Sequence, residues 1–321
     1  MNDRSDLRDT ILFGDCRETL PMFNVKARMC VTSPPYYGLR NYGGEESQIG
    51  QEQTPEEFID ELVKVFREVR NVLTDDGTCW VNVGDSYYNY RPGRGQGLVK
   101  QTVSNTKQDL PDVCPRRGNR LEGLKEKDLI GIPWMLAFAL RADGWYLRQD
   151  IIWHKPNPMP ESVRDRCTKS HEYIFLLSKS PKYYYNHEAI KEKAVGERWG
   201  GNNPINMDNT KDTDNQFSGL TRPRKMVYDK RNKRSVWKVV TKPYKGAHFA
   251  VFPEELIEPC ILAGSEKGDI VLDPFMGSGT TAVAAKSHGR HYIGCELHEE
   301  YGKLIQKRLS ERSFARLNLD D

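Results

Sequence analysis

The chain has 321 residues, with 48 Lys and Arg against 45 Asp and Glu, so a formal net charge of +3 gives no argument for nucleic acid from the sum alone; its length suits one large α/β domain or two smaller ones. Its seven cysteines, Cys16, Cys30, Cys79, Cys114, Cys167, Cys260 and Cys295, are odd in number and show no CxxC spacing, which argues against a disulfide framework or a structural zinc and for reduced thiols in the cytoplasm. The polar start Met1-Asn2-Asp3-Arg4 precedes no apolar segment, and no apolar run approaches the roughly 18 residues of a membrane helix, so neither secretion nor membrane insertion is expected.

Ile11-Leu12-Phe13 followed by Gly14-Asp15-Cys16 reads as a short strand ending in a turn that exposes a carboxylate. The run Ala27-Arg28-Met29-Cys30-Val31 reads as a second strand, delivering Thr32-Ser33-Pro34-Pro35-Tyr36 to an open edge. Pro34 and Pro35 each fix φ at about −65° and lack a backbone donor, so the turn is stiff. The Ser33 hydroxyl, the Pro34 carbonyl and the Tyr36 ring are thereby held at one point, which suits a flat group bearing an exocyclic amine, such as a nucleobase.

Thr54-Pro55-Glu56-Glu57 has the form of a helix start, with Thr54 as N-cap, Pro55 at N1 and Glu57 completing a capping box. Phe58, Leu62, Val65, Phe66, Val69 and Leu73 follow at helical spacing, and the helix is expected to stop near Asp76-Gly77. Thr78 to Val83 makes a strand ending at Gly84-Asp85. Residues 88–127 are basic, glycine-bearing and poor in apolar residues, as in a flexible surface loop. Ile132 to Leu140 is a helix opened by Pro133; Tyr146 to Trp153 is a strand closed by His154-Lys155-Pro156-Asn157-Pro158. His171 to Ser178 is apolar in its middle, as a central strand should be. The alternation of strands and helices points to a mostly parallel α/β sheet.

Between 191 and 245 the composition shifts. Gly196 to Gln216 is rich in Gly, Asn and Asp, and then Arg222, Arg224, Lys225, Lys230, Arg231, Lys233, Arg234 and Lys238 face only Asp229, with Trp237 and Tyr244 nearby. Such a cluster fits phosphate contact and entry into a groove of DNA, or else a solvated linker face. Ile270 to Asp273 is a strand, Pro274-Phe275-Met276-Gly277-Ser278-Gly279 a glycine turn, and Thr280-Thr281 opens a helix. A phosphate-binding loop would carry Lys before Ser or Thr, and here Gly279-Thr280-Thr281 stands instead. Tyr292 to Glu296 forms the next strand and ends in an acid.

Three of these segments resemble the DNA amino methyltransferases, which methylate cytosine N4 or adenine N6. Ser33-Pro34-Pro35-Tyr36 matches that family's [Ser/Asn/Asp]-Pro-Pro-[Tyr/Phe] motif, Asp273-Pro274-Phe275-Met276-Gly277-Ser278-Gly279-Thr280 its cofactor loop, and Gly14-Asp15-Cys16 the amino-terminal element of its beta group. His248 to Leu256 is similar to the segment packed over the methionine end of the cofactor. The catalytic motif precedes the cofactor motif, the circularly permuted order of the beta group. The resemblance implies a Rossmann-like methyltransferase fold, helices on both faces of a mostly parallel twisted sheet, with an inserted recognition region. It divides the chain into a catalytic half at 1–190, a target-recognition region at 191–245 and a cofactor half at 246–321.

The implied cofactor is S-adenosyl-L-methionine, touched by Asp15, Thr32, His248, Phe252, Asp273, Phe275, Gly277, Ser278, Gly279, Thr280 and Glu296. The implied catalytic residues are Ser33, Pro34, Pro35 and Tyr36, and the implied partner is double-stranded DNA, contacted by Arg222, Arg224, Lys225, Lys230, Arg231, Lys233 and Arg234. Ser33 in place of Asp favours cytosine N4 over adenine N6. An RNA methyltransferase and a catalytically silent DNA reader stay open as alternatives, as do a cognate restriction endonuclease and a homodimer as partners. No His/Cys/Asp cluster has metal spacing, and His154, His171, Trp134 and Trp153 are expected in structural roles.

Overall fold

A computed structural model describes residues 7–38, 48–88, 121–194, 229–241 and 252–317. Along them run β1 (Thr10–Phe13), α1 (Cys16–Thr19), β2 (Ala27–Thr32), α2 (Pro55–Val72), β3 (Leu73–Val83), α3 (Ile132–Ala142), β4 (Tyr146–His154) and β5 (His171–Ser178). There follow β6 (Glu192–Lys193), β7 (Lys230–Arg231), β8 (Val236–Lys238), α4 (Glu254–Gly264), β9 (Ile270–Asp273), α5 (Thr280–Ser287), β10 (His291–Glu296) and α6 (Tyr301–Leu317). Among the described residues no helix is long and apolar enough to cross a membrane.

Eight strands form one sheet in the order β1-β10-β9-β2-β3-β5-β4-β8. All neighbours are parallel except at β5, which runs antiparallel to both β3 and β4. The apolar runs explain the centre of the sheet, since parallel strands covered on both faces need side chains that tolerate burial on either side. Cys30, Cys79 and Val81 point to a core shared with α2 and α3, and Met29, Val31 and Trp80 to a second core shared with α4 and α5. Helices thus cover both faces, and the Rossmann-like architecture expected from the sequence is what the chain adopts. The apolar middle of β5 fits its internal place, and the connection through 155–170 carries no crossover helix, so β5 returns antiparallel to β4.

The α2 start matches expectation: Glu57 N–H donates to Thr54 Oγ1 at 3.2 Å and Thr54 N–H to Glu57 Oε2 at 3.1 Å. Its end differs, for the helix stops at Val72 and β3 begins at Leu73. Leu73 is fully buried and pairs with Ala27, and the register breaks before Met29 pairs with Thr78, so the polar stretch up to Gly77 is an irregularity within β3. The carboxyl end of the 88–127 segment also departs from a plain surface loop. Tyr88, Leu121 and Ile130 are buried, and residues 127–130 bond to the chain at Ser86 and Tyr88; the stretch 89–120 lies outside the described residues.

The α3 helix begins on Gly131, which offers no side-chain cap. Asp85 takes that place from the end of β3, accepting the Gly131 N–H at 3.0 Å and the Ile132 N–H at 3.2 Å, so a carboxylate meets the positive end of the helix. Within 191–245 the described residues 236–238 form β8, which adds to the sheet with Ile152 opposite Val236 and Trp153 opposite Trp237. Trp237, grouped with the DNA contacts in the sequence, is buried in the second core with Nε1 donating to the Arg234 carbonyl at 2.7 Å. Its apolar ring finds more cover beneath the sheet edge than any exposed loop would offer.

Candidate active site

The carboxyl ends of β2, β9 and β10 share one edge of the sheet, and a single carboxylate ties two of them together. Asp273, at the end of β9, accepts the Thr32 hydroxyl at 2.6 Å, the Thr281 hydroxyl at 2.6 Å and the Phe275 N–H at 3.0 Å. It is 1% exposed, and burial pushes its acid up to about 6 despite those three donors. Asp273 and Thr32 are therefore internal fasteners: they hold the end of β2, the glycine turn and the start of α5 in one geometry.

Beyond Thr32 the chain leaves the sheet through Ser33, Pro34, Pro35 and Tyr36. Tyr37, directly after the motif, is buried against Phe58 of α2 with ring centroids 5.4 Å apart, and its hydroxyl donates to the Gln53 carbonyl at 3.1 Å. Of the four residues before that anchor, Pro34 is buried and Pro35 and Tyr36 are half-buried. Ser33 is half-buried. Among the described residues neither its hydroxyl nor the Pro34 carbonyl takes part in a hydrogen bond. Both acceptors expected for an amine are thus uncommitted.

The Tyr36 hydroxyl donates to Glu172 Oε2 at 2.7 Å. Asn82 of β3 donates to the same oxygen at 3.3 Å, while Glu172 Oε1 is ion-paired with Lys155. The Lys155 ammonium also stands 4.2 Å from the centre of the Trp153 ring. Nearby, Lys169 donates to the Asp85 carbonyl at 2.8 Å, and burial holds its ammonium below the usual lysine range. Burial, then Lys169, likewise keeps His171 below the ordinary histidine value. Sequence reasoning missed this group. Its one signal was a Glu at the head of a strand that is otherwise apolar, where only a partnered charge is tolerated.

On the other side of Asp273, Gly277 and Gly279 take φ of 54° and 81°, values that glycine adopts without cost. The Gly277 N–H donates to Glu296 Oε2 at 2.7 Å and the His298 N–H to Glu296 Oε1 at 3.1 Å. Burial nevertheless raises the Glu296 acid to about 7. Gly14 N–H bonds the Glu296 carbonyl at 2.9 Å, and an open cleft of about 440 Å3 lies beside that contact, lined by Phe13, Gly14, Leu297, His298, Glu299 and Glu300. Asp15 caps α1, accepting the Arg17 N–H at 2.8 Å and pairing with the Arg17 guanidinium.

Ser278 and Thr280 are buried, and both meet Arg308 of α6, which donates to Ser278 Oγ at 2.7 Å, the Ser278 carbonyl at 2.8 Å and Thr280 Oγ1 at 3.0 Å. The arginine, also missed in the sequence, braces the glycine turn from behind. Phe275 and Phe252 are partly buried against the first and second cores respectively. His248, Arg222, Arg224 and Lys225 lie outside the described residues. Of the remaining basic residues, Arg231 and Arg234 both pair with Glu192, at 2.9 and 2.6 Å, and the Lys233 ammonium lies 5.0 Å from the Trp237 ring centre. Lys230 sits in the β6–β7 pairing, opposite Lys193.

Residues 27–307 match the family model described as DNA methylase. The chain is 48% identical over 310 residues to the type II methyltransferase M.SmaI of Serratia marcescens, covering 96% of this chain and 93% of that one. It is 47% identical to the type II methyltransferase M.Cfr9I of Citrobacter freundii, covering 94% and 87% respectively. Among solved structures, the PvuII DNA methyltransferase described as cytosine-N4-specific aligns with a TM-score of 0.59 at 17% identity, over 93% of this chain and 85% of that one. A DNA modification methylase of Thermus thermophilus, described as putative and solved with S-adenosyl-L-methionine, aligns with a TM-score of 0.56 at 24% identity, over 94% and 93%.

Proposed function

The chain belongs to the DNA methylase family, and on that premise we propose that it transfers a methyl group from S-adenosyl-L-methionine to the exocyclic N4 of cytosine in duplex DNA. The observation that carries the proposal is the Thr32–Asp273 bond at 2.6 Å, which sets an uncommitted Ser33 hydroxyl and Pro34 carbonyl beside the glycine turn. Serine rather than an acid at position 33, and likeness to a solved enzyme described as cytosine-N4-specific, support cytosine.

The residues fit the cofactor. Gly277 and Gly279 supply the positive φ that shapes the turn, and the Glu296 carboxylate ends β10 beside the cleft at Gly14 and Leu297. Glu296 would accept the two ribose hydroxyls, with Phe252 and Phe275 supplying apolar cover, and Asp15 would stand near the pocket behind its cap. When bound, the cofactor supplies a methyl group on a positively charged sulfur.

The amine conjugated with a base ring is a poor nucleophile. Ser33 Oγ and the Pro34 carbonyl would accept its two N–H bonds and draw the lone pair out of the ring, so that positioning and exclusion of water do most of the work. Tyr36 would stack on a base turned out of the duplex, recovering part of the few kcal/mol that extrusion costs. DNA phosphates would be met by the basic residues from Arg222 to Arg234.

The deciding experiment incubates the protein with labelled S-adenosyl-L-methionine and unmethylated genomic DNA, then identifies the nucleosides by mass spectrometry. N4-methylcytosine is the expected product; N6-methyladenine would overturn the choice of base, and label in RNA alone would overturn DNA as the substrate.

Glu296 adds a pH signature. Only the ionised carboxylate accepts both hydroxyls, and its acid titrates at about 7, so raising pH populates the binding form. Cofactor affinity is expected to rise about tenfold between roughly pH 6 and pH 8. Isothermal titration calorimetry should show this for the wild type and a weaker, pH-flat response for Glu296→Gln; a flat wild-type profile would contradict the role.

A further inference from the structure

Proline rings fix the backbone through Pro35, but they leave the two side-chain torsions of Tyr36 free. A ring that serves as a stacking platform needs a defined tilt, and ordering such a side chain costs about 0.5–1.5 kcal/mol if it happens on binding. The structure shows the order already present. The Tyr36 hydroxyl is bonded to Glu172 at 2.7 Å, and its ring lies so close over Gly84 that a Cβ there would stand 2.9 Å from Tyr36 Cε2 and 3.3 Å from Glu172 Cδ.

Besides Tyr36, Glu172 has two partners among the described residues, and the three side chains of that group come from different segments. Asn82 comes from β3, Lys155 from the segment after β4, and the glutamate from the head of β5. The Glu172 and Lys155 side chains are only 12% and 18% exposed. Ion pairs drawn out of water add little net stability, because desolvation offsets their attraction, and their best-attested value is in fixing one arrangement against others. Lys155 is in turn placed by the Trp153 ring, 4.2 Å away. The chain of contacts runs from the rigid sheet to the one aromatic face at the motif.

We propose that Glu172, held by Lys155 and Asn82, is a positioning residue that fixes the Tyr36 ring in the attitude in which it stacks on the target base. The proposal rests on the base-stacking role given to Tyr36 above. Glu172 acts through Tyr36: its oxygens bond the tyrosine, the asparagine and the lysine.

The test compares Tyr36→Phe, Glu172→Ala, Glu172→Gln and the double variant Tyr36→Phe/Glu172→Ala in single-turnover methylation, with cofactor affinity measured alongside. Tyr36→Phe and Glu172→Ala are each expected to slow methyl transfer roughly tenfold or more through a misplaced ring, with cofactor affinity unchanged. The double variant should be no slower than the worse single one, since both cut the same tether. Glu172→Gln, which keeps an oxygen for the tyrosine hydroxyl, should recover most of the rate. Effects that multiply, or a Gln variant as slow as the Ala variant, would overturn the proposal. A crystal structure of Glu172→Ala gives a readout free of activity: a displaced or disordered Tyr36 ring is expected, and a ring in its wild-type place refutes the tether. Wild-type protein that methylates no DNA would be a failure of the proposed function instead, and the ring position would still decide this point.

Discussion

Ser33→Ala is expected to slow methyl transfer by roughly a hundredfold or more while cofactor affinity and DNA affinity stay at wild-type levels. The hydroxyl is one of two acceptors for the amine, and losing one such preorganised contact in a water-poor site typically costs about 10²–10³ in rate, or about 3–4 kcal/mol. The fold should not notice. No described group bonds to Ser33 Oγ, so alanine strands no partner, and a half-buried site without one normally changes stability by about 0.5 kcal/mol or less. Single-turnover kinetics should be used, because slow product release would mask part of the effect in steady state. A variant within a few-fold of wild type would remove the serine from the mechanism and place the burden on the Pro34 carbonyl.

Asp273→Ala should instead dismantle the site. Thr32 Oγ1, Thr281 Oγ1 and the Phe275 N–H would lose their acceptor at a position only 1% exposed, and each unsatisfied buried group costs about 1–3 kcal/mol. Removing the carboxylate also relieves a strain: burial has raised its acid from the ordinary 3.8 to about 6, which at neutral pH is worth roughly 3 kcal/mol against the folded state. The net loss is therefore a few kcal/mol at pH 7 and larger near pH 4, where the wild-type acid is protonated and unstrained. The sign follows from proton counting. The folded acid holds its proton more tightly than the unfolded one, so its contribution to stability is full below about pH 4 and falls away as pH rises through 6. Asp273→Asn keeps the shape and should remove that slope, so the difference between wild-type and Asn curves in urea unfolding at pH 5 and pH 7.5 isolates the group. A wild-type protein that gains stability over the Asn variant as pH rises would contradict it.

Much of this edge was legible in the chain itself. The capping box at Thr54 and the glycine turn at Gly277 are local codes, each written within a few residues, and the structure holds them as the spacing implies. The order of the two motifs was read from the family likeness, and in the sheet the strands that lead into them, β2 and β9, are neighbours. What stayed hidden was set by tertiary contact. Nothing near Glu172 reveals that Tyr36, 136 positions earlier, will bond to it. Arg308 sits in a helix among other basic residues, and only the packing of α6 turns it onto Ser278. Trp237 misled because an aromatic amid arginines looks like a groove contact until the sheet edge beneath it is known. The Arg231 and Arg234 pairs with Glu192 likewise depend on a two-residue ladder too short to detect.

The Thr32–Asp273 bond spans 241 residues of sequence, and that separation has a meaning for how the protein is made. A chain emerging from the ribosome presents β2 and β3 long before β9 exists, leaving the place between β2 and β10 open for most of synthesis. Contacts of such long range must overcome a large loop-closure entropy before they return any energy, so they form late and slowly. The open edge of β2, with Met29, Cys30 and Val31 that are buried in the finished fold, is then a strand edge exposed to mispairing. The same wait also delays activity: half the machinery of transfer is translated early, yet none of it is assembled until Asp273 and Thr281 arrive to fasten it.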